Sequence, residues 1–147
     1  MLTPFYVGAQ VDLLPKFSAS NVWSKLLNQK NPINMFIGVP TIFSQLIDYY
    51  SREPVGTCSK YVSDILNKKM RIIGSGSAPL NVKTYNDWLS LTNYRLLERY
   101  GMTEIGMALT NPYTETSEKK RIGGIYLVFN ADRLKILIYK ITFSLAV

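Results

Sequence analysis

Two short segments of this sequence contain residues whose types and spacing are suited to binding an anionic ligand. The first, Gly74-Ser75-Gly76-Ser77-Ala78-Pro79, places small residues where backbone N–H groups can approach an anion unobstructed. It lacks the Gly-Lys-Ser/Thr ending of a P-loop and the third glycine of a dinucleotide-binding fingerprint. From these residues alone, a tight strand-to-helix turn is at least as good an interpretation as a ligand-binding loop.

The second segment, Tyr100-Gly101-Met102-Thr103-Glu104, combines an aromatic ring, a glycine, a hydroxyl and a carboxylate. A nucleotide uses such groups, because a ring can stack on its base, a hydroxyl can bond its phosphate and a carboxylate can hold its magnesium. The alternative is structural: a strand end, a threonine that caps the next turn and an exposed glutamate. The spacing alone does not choose between the two.

The composition excludes several other kinds of site. The 147 residues contain no histidine, so neither a histidine general base nor a histidine-ligated zinc is available. Cys58 is the single cysteine, which excludes a disulfide framework and a multi-cysteine metal site. The net charge is +7, but the basic residues are scattered rather than arranged in a stripe, which disfavours nucleic acid as a partner. No stretch has the length and apolar character of a membrane span.

The hydrophobic pattern predicts strands that alternate with helices. Apolar runs at 33–39, 70–73 and about 95–100 are typical of buried strands, and the glycines at 74 and 101 are expected to end the second and third. Helical periodicity is present over about 22–27, 42–50, 59–67 and 82–92. This order predicts an α/β fold, with a parallel sheet, right-handed crossovers and flanking helices.

A parallel sheet of this kind also predicts where a ligand would bind. Ligands of open parallel sheets lie beyond the carboxyl ends of the strands. Both glycine-containing segments begin at such ends, on strands that are consecutive in the sequence. We therefore expect the two segments to lie side by side on one rim of the sheet.

Taken together, the two segments resemble a known family. SGSAPL (75–80) and LERYGMTE (97–104) look like two core motifs of the adenylate-forming acyl-CoA synthetases, the AMP-dependent synthetase and ligase superfamily. PKFSASNVW (15–23) and NMFIGVPTIFSQLIDYY (34–50) extend the likeness, and ERYGMTEIGMAL (98–109) most resembles the malonyl-CoA synthetase branch. The resemblance covers about 4–124 and implies a fragment of the N-terminal adenylation domain, with a partial parallel sheet and flanking helices.

The resemblance implies an ATP-dependent acid–thiol ligase. Such an enzyme activates a carboxylate, malonate in this branch, as an acyl-adenylate and transfers the acyl group to coenzyme A, with Mg²⁺ bound to ATP. It implies catalytic roles for Thr103 and Glu104, with the metal held by Glu104. It implies nucleotide binding by Ser77, Ala78, Pro79, Tyr100, Gly101, Met102 and Thr103, and an acyl pocket walled by Val39, Pro40 and Thr41.

Arg99 is the residue that the resemblance ties to substrate choice. In the malonyl-CoA synthetase branch, the arginine before this tyrosine resembles a clamp for the free carboxylate of malonate. A planar guanidinium can bind a carboxylate through two hydrogen bonds, which the tail of a fatty acid cannot use. The alternative is an ordinary ion pair with Glu98 or with another surface acid.

Several parts of the family pattern are not found in this sequence. These are the Thr/Ser/Gly-rich phosphate loop with its lysine, the ribose-binding aspartate, the hinge and the small domain with its catalytic lysine. The likeness is expected to end after Gly124, which divides the chain into a partial AMP-binding domain at 1–124 and a divergent tail at 125–147. Translated intron or a misjoined exon is one hypothesis for the tail.

These departures leave alternatives open for the function. We expect the isolated chain to be inactive, because it lacks parts of its own parent domain that would complete the ATP site. A non-catalytic nucleotide-binding or interaction module made from the same piece is the second hypothesis. A ligase for another medium-chain or aryl acid is the third, if Arg99 faces away from the pocket. A mitochondrial location is implied by the resemblance alone, since no targeting peptide is recognised in the chain.

Overall fold

The structure, a computed structural model, describes residues 6, 8–30, 33–53, 59–104, 106–111 and 126–127. A single mixed sheet organises this part of the chain. Five strands lie side by side in chain order within these residues. They are β1 (Met35–Gly38), β2 (Ile72–Gly76), β3 (Leu97–Met102), β4 (Gly106–Thr110) and β5 (Tyr126–Leu127). The first three strands are parallel, whereas β4 runs antiparallel to β3 and β5 antiparallel to β4. The α/β fold with a partial parallel sheet is therefore confirmed.

Within the described ranges, four helices accompany the strands: α1 (Ala19–Leu27), α2 (Pro40–Arg52), α3 (Ser59–Lys69) and α4 (Val82–Thr92). In chain order, α2 and α3 separate β1 from β2, and α4 separates β2 from β3, as parallel neighbours require. Local sequence signals set where they start: Ser18 and Asn81 cap α1 and α4, and a proline opens α2. Among the described residues, no helix combines the length and hydrophobicity needed to cross a membrane.

The core is an aromatic cluster between the helices and one face of the sheet. The rings of Trp23 and Trp88 stack with centroids 5.7 Å apart, and Phe43 meets Trp88 edge-on at 5.2 Å. The indole N–H of Trp23 donates to the carbonyl oxygen of Leu46 at 3.0 Å, which satisfies a buried donor. The other buried members of this cluster are Val22, Leu26, Val62, Leu66, Met70, Ile73, Leu80 and Leu96.

The two faces of the sheet differ in what covers them. On β1, Phe36 packs against the core, whereas Met35 and Ile37 point to the opposite side and are 48% and 50% exposed. On β2, Ile73 is fully buried on the helical side. The cleft described below therefore opens on the side of the sheet away from the aromatic core.

Lys69 joins the end of α3 to the end of α1. Its ammonium group donates to the carbonyl oxygens of Lys25 and Asn28, at 3.4 and 3.1 Å. A cation at the carboxyl end of a helix compensates its unpaired carbonyl groups. Partial burial lowers the pKa of Lys69, because desolvation disfavours the charged ammonium.

The strands end later than the sequence pattern predicts. The second strand was expected to end at Gly74 and the third at Gly101, but β2 continues to Gly76 and β3 to Met102. The reason is that backbone groups, not side chains, make the pairing: the segment 74–76 is bonded to a strand on each side. The antiparallel strand β4 was not predicted, and its pairing with β3 extends β3 beyond Gly101.

Gly101 lies at an irregularity of the β3–β4 pairing. The register shifts between Tyr100 and Gly101, as in a β-bulge. A Cβ atom added to Gly101 would overlap the carbonyl oxygen of Gly106 and lie 3.0 Å from the Cα of Met107. Both neighbours are backbone atoms, so neither can move aside without opening the hairpin.

Replacing a buried leucine of the core tests the packing. We expect Leu46→Ala to lower the free energy of unfolding by about 2–5 kcal/mol, because the side chain is fully buried and its removal leaves a cavity. Urea denaturation followed by tryptophan fluorescence measures this. Leu13→Ala is the matched control, since Leu13 is 66% exposed, and its effect should stay within about 0.5 kcal/mol. Equal losses in both variants would contradict the assigned core.

A pair of glycine substitutions tests the hairpin. We expect Gly101→Ala to destabilise the chain by more than about 2 kcal/mol, because the new methyl group meets backbone in a close-packed hairpin. Gly38→Ala is the control, since its Cβ would meet the side chain of Ile42 at an ordinary 3.4 Å. Thermal unfolding of both variants gives the comparison. A Gly101→Ala variant as stable as Gly38→Ala would show that the hairpin is built differently.

Candidate functional site

An open cleft of about 520 Å³ lies at the carboxyl ends of the three parallel strands. This is within the usual size range of a small-molecule pocket, and its position is the one expected for an open parallel sheet. The cleft is formed by the end of β1, the start of α2, the end of β2 and the β3–β4 hairpin. Its lining residues are Ile37, Gly38, Val39, Ile42, Gly76, Ser77, Arg99, Gly101, Met102, Gly106 and Met107.

Arg99 is the charged residue in this otherwise mostly apolar lining. The side chain of Arg99 lies over the face of β2 that carries Gly74 and Gly76. A Cβ atom added to Gly74 would be 3.9 Å from the Nε atom of Arg99. The Nε atom is buried and has no hydrogen-bond partner among the described residues. Buried donors are normally satisfied, so an unpaired one beside an open cleft points to an acceptor supplied by a ligand. The geometry suits a small anion with an apolar body.

The expected alternative for Arg99 was an ion pair with Glu98, and the structure does not have it. The ion pairs found in the described ranges are Lys25–Asp12, Arg52–Asp48 and Lys83–Asp87. Consecutive residues of a strand point to opposite faces, so the carboxylate of Glu98 lies on the other side of β3. There Oε1 of Glu98 accepts a hydrogen bond from the backbone N–H of Leu80 at 3.1 Å.

The turn that follows β2 brings the first motif to the rim of the cleft. Ser77 has a left-handed backbone with φ of 66°, which is uncommon for a residue other than glycine. Ser77, Ala78 and Pro79 are exposed, whereas Leu80 is buried in the core. The turn is therefore exposed to solvent at 77–79 and is held at Leu80 by the core.

Tyr100 lies on the opposite side of β3 from Arg99. Its side chain is 48% exposed and is not part of the cleft lining. It shares its face of the strand with Glu98, the residue that holds the turn after β2. The exposed ring of Tyr100 thus lies on one side of β3 and Arg99 on the other, while Ser77 of the turn after β2 borders the cleft. The predicted meeting of the two glycine-containing segments on one rim is confirmed.

The pKa of Tyr85, a residue of α4, is affected by the charge of Glu98. Burial raises the pKa of Tyr85, the nearby positive charge of Arg95 lowers it, and the negative charge of Glu98 raises it. The carboxylate of Glu98 therefore lies near the partly buried phenol of Tyr85. This places Glu98 at the junction of β3, α4 and the turn after β2.

Thr103 and Glu104 form the exposed turn that joins β3 to β4. Within the ranges that the structure describes, no group of three or more His, Cys, Asp or Glu residues could hold a metal ion by itself. Magnesium in nucleotide sites is commonly held by one or two carboxylates together with phosphate oxygens. A single exposed carboxylate such as Glu104 fits one ligand position of that kind.

Part of the predicted site lies in the lining of the cleft. Its lining includes Val39, Ser77, Arg99, Gly101 and Met102 from the predicted set. The other predicted residues lie outside the lining: Pro40, Thr41, Ala78, Pro79, Tyr100, Thr103 and Glu104. Their individual roles stay predictions.

Several lining residues were not predicted. They are Ile37, Gly38, Ile42, Gly76, Gly106 and Met107. Ile42 was assigned to a buried helix face and Ile37 to a buried strand, so their apolar character gave no sign of a cleft. The Gly-Met pair at 106–107 repeats the one at 101–102, and that repetition was the available signal.

Comparison with known proteins identifies relatives over most of this chain. The model of the AMP-binding enzyme family matches residues 1–137. The mouse protein "Malonate--CoA ligase ACSF3, mitochondrial" is 44% identical over 125 residues, which are 84% of this chain and 21% of the relative. The human protein of the same description is 42% identical over 78% of this chain and 20% of its own length.

Solved structures agree with the sequence relatives. Apo MatB from Rhodopseudomonas palustris superposes with a TM-score of 0.63 at 30% identity, over 84% of this chain and 21% of that chain. A malonyl-CoA ligase product complex with methylmalonyl-CoA and AMP gives a TM-score of 0.64 at 27% identity, over 78% of this chain and 23% of that chain. In both comparisons the shared region is an N-terminal part of an AMP-binding fold.

The chain thus spans about a fifth of the length of the relatives that it matches. The family match reaches residue 137 and β5 lies at Tyr126–Leu127, both beyond Gly124, and the proposed boundary at that glycine stays a prediction. The match covers nearly all of the sequence and includes both glycine-containing motifs. On this evidence the chain belongs to the AMP-binding enzyme family, the adenylate-forming acyl-CoA synthetases.

Proposed function

We propose that this chain supplies the central part of the nucleotide and acyl site of a ligase that joins malonate to coenzyme A. The observation that carries the proposal is Arg99, whose buried Nε atom has no partner among the described residues and which lines the cleft. The relatives support the choice of acid, since the mouse and human proteins are described as malonate–CoA ligases.

Arg99 is proposed to select the acid. The guanidinium binds the carboxylate of malonate that does not react, while the apolar side chains of Ile37, Ile42 and Met107 contact its methylene group. The other carboxylate then points toward the rim, where the nucleotide binds. A fatty acid would leave the buried Nε atom of Arg99 without an acceptor, which carries a desolvation cost.

The nucleotide is proposed to bind on the rim formed by the two motifs. Tyr100 stacks on the adenine ring, and the backbone of Ser77, Ala78 and Pro79 borders it. Gly101 and Met102 shape the floor between adenine and acid. The hydroxyl of Thr103 bonds the phosphate.

The reaction has two steps. A carboxylate oxygen of the acid attacks the α-phosphorus of ATP, which forms an acyl-adenylate and releases pyrophosphate. The thiol of coenzyme A then attacks the acyl carbon and displaces AMP. This chain contributes positioning to the first step. The acid bound by Arg99 and the nucleotide bound at Tyr100 approach β3 from opposite sides and meet at the rim of the sheet.

Glu104 is proposed to be a ligand of Mg²⁺ together with the phosphates of ATP. When bound, the metal neutralises charge on the phosphates during the attack. The exposed position of Glu104 in the β3–β4 turn leaves its carboxylate accessible for this role.

The 147 residues are proposed to be insufficient for turnover by themselves. They span about a fifth of the length of the mouse and human relatives, whose activity belongs to the whole protein. A mitochondrial location is proposed on the same basis, from the descriptions of these two relatives.

The clamp is tested in a chimera that carries this segment within the mouse ligase in place of its own matching segment. We expect Arg99→Ala to lower kcat/KM for malonate by about 10–100-fold, the usual effect of removing a hydrogen bond to a charged group. Arg99→Lys should recover only part of this, because an ammonium group cannot bond a carboxylate in the same two-point geometry. Malonate-dependent release of pyrophosphate is the measurement.

Arg71→Ala is the matched control, because Arg71 is exposed and precedes β2 at the end away from the cleft. ATP affinity should be equal in all variants. Full malonate turnover in Arg99→Ala would refute the clamp. A chimera that binds ATP but releases no pyrophosphate in the presence of malonate would favour a non-catalytic nucleotide-binding module instead.

A further inference from the structure

The turn at 77–80 (Ser77 to Leu80) needs an external support. Ser77 has a φ of 66°, a conformation that costs a non-glycine residue free energy and that persists only where the surroundings impose it. Ser77, Ala78 and Pro79 are exposed, so little packing holds them. The support must come from the far end of the turn, where Leu80 enters the core at 5% exposure.

Glu98 provides that support through its side chain. Its Oε1 atom accepts a hydrogen bond from the backbone N–H of Leu80 at 3.1 Å, and the bond is partly buried. A carboxylate that accepts from a backbone N–H makes a charge-assisted bond, which is stronger than one between neutral groups. The bond joins the turn at 77–80 to β3 across a sequence separation of 18 residues.

The backbone of Glu98 is itself fixed on the other side. The N–H of Asn111 donates to the carbonyl oxygen of Glu98 at 3.0 Å, and the side-chain oxygen of Asn111 accepts from the N–H of Glu98. Glu98 also pairs with Ser75 in the parallel β2–β3 ladder. One residue thus connects β2, the end of β4 and the turn at 77–80.

The position of Glu98 in β3 relates this support to the nucleotide. Glu98 and Tyr100 are two residues apart and share a face of the strand. The carboxylate that holds the turn and the ring proposed to stack on adenine are therefore carried by one rigid element. Moving the turn away from β3 would widen the gap between Tyr100 and the backbone at 77–79.

We propose that Glu98 is a positioning residue, whose carboxylate holds the turn at 77–80 beside Tyr100 so that a purine nucleotide fits between them. This inference rests on the proposed function, because it assigns the purine to that rim. Glu98 does not touch the reacting atoms. It acts through the N–H of Leu80.

The test uses the 147-residue chain and two variants that separate acceptor from charge. Glu98→Gln keeps an acceptor oxygen and the side-chain length, whereas Glu98→Ala removes both. Asp87→Ala is the control, because it removes an exposed carboxylate of α4 that pairs with Lys83. Hydrogen exchange by NMR follows the amide of Leu80 relative to that of Ile73 in the core, and titration with AMP follows the amide of Tyr100.

In Glu98→Ala, we expect the exchange of the Leu80 amide to accelerate at least about tenfold relative to Ile73, and AMP affinity to fall by a similar factor. Glu98→Gln should restore both in part, because its amide oxygen can still accept the bond but without the carboxylate's charge, and Asp87→Ala should change neither. A Leu80 amide that stays protected in Glu98→Ala would overturn the proposal. So would AMP affinity that is lost equally in Glu98→Gln and Glu98→Ala.

A second perturbation covers the case in which Glu98→Ala does not fold. A backbone ester at Leu80 replaces the donating N–H by oxygen and leaves Glu98 in place. It should weaken AMP binding as Glu98→Ala does, and unchanged affinity would contradict the proposal. If neither the original chain nor the chimera with the mouse ligase binds AMP, the proposed nucleotide site fails, and the exchange of Leu80 still decides whether Glu98 holds the turn.

Discussion

The absence of side chains at Gly74 and Gly76, on one face of the carboxyl-terminal part of β2, is the constraint on which the candidate site depends. Gly74 and Gly76 face the cleft side, and a Cβ at Gly76 would lie 3.1 Å from the carbonyl oxygen of Arg99. Larger residues at these two positions would meet the backbone and side chain of Arg99. Because β2 is bare there, the guanidinium can lie over the sheet with its Nε buried. There is room for the cleft because the end of β2 beneath it carries no side chains on that face.

The opposite face of the same strand carries the packing. Ile73 is fully buried beneath the helices, in contact with a cluster dominated by Trp23, Phe43 and Trp88. One face of β2 thus packs against the core, and the other borders the cleft. The helices α1, α3 and α4 contribute no residue to the lining of the cleft, so they need not move for it to be occupied.

Much of this arrangement could be predicted from the sequence, because it depends on local patterns. Alternating apolar runs and amphipathic periods predicted the α/β order and the parallel strands. The neighbouring positions of the two glycine-containing motifs followed from topology. The strand ends could not be predicted, since Gly74 and Gly101 are typical breakers and only their partner strands show that pairing continues. The bond from Leu80 to Glu98 was equally hidden, because nothing local links an amide to a carboxylate on a later strand.

Consecutive residues of one strand separate two kinds of recognition. Arg99 faces the cleft and Tyr100 faces away from it, so a change at one position leaves the surface around the other intact. With the roles proposed for Arg99 and Tyr100, a single substitution at position 99 would change the preferred acid and leave the proposed purine-stacking surface unaltered. The alternation of side chains along β3 would then let the choice of acid and the binding of the nucleotide change independently of each other.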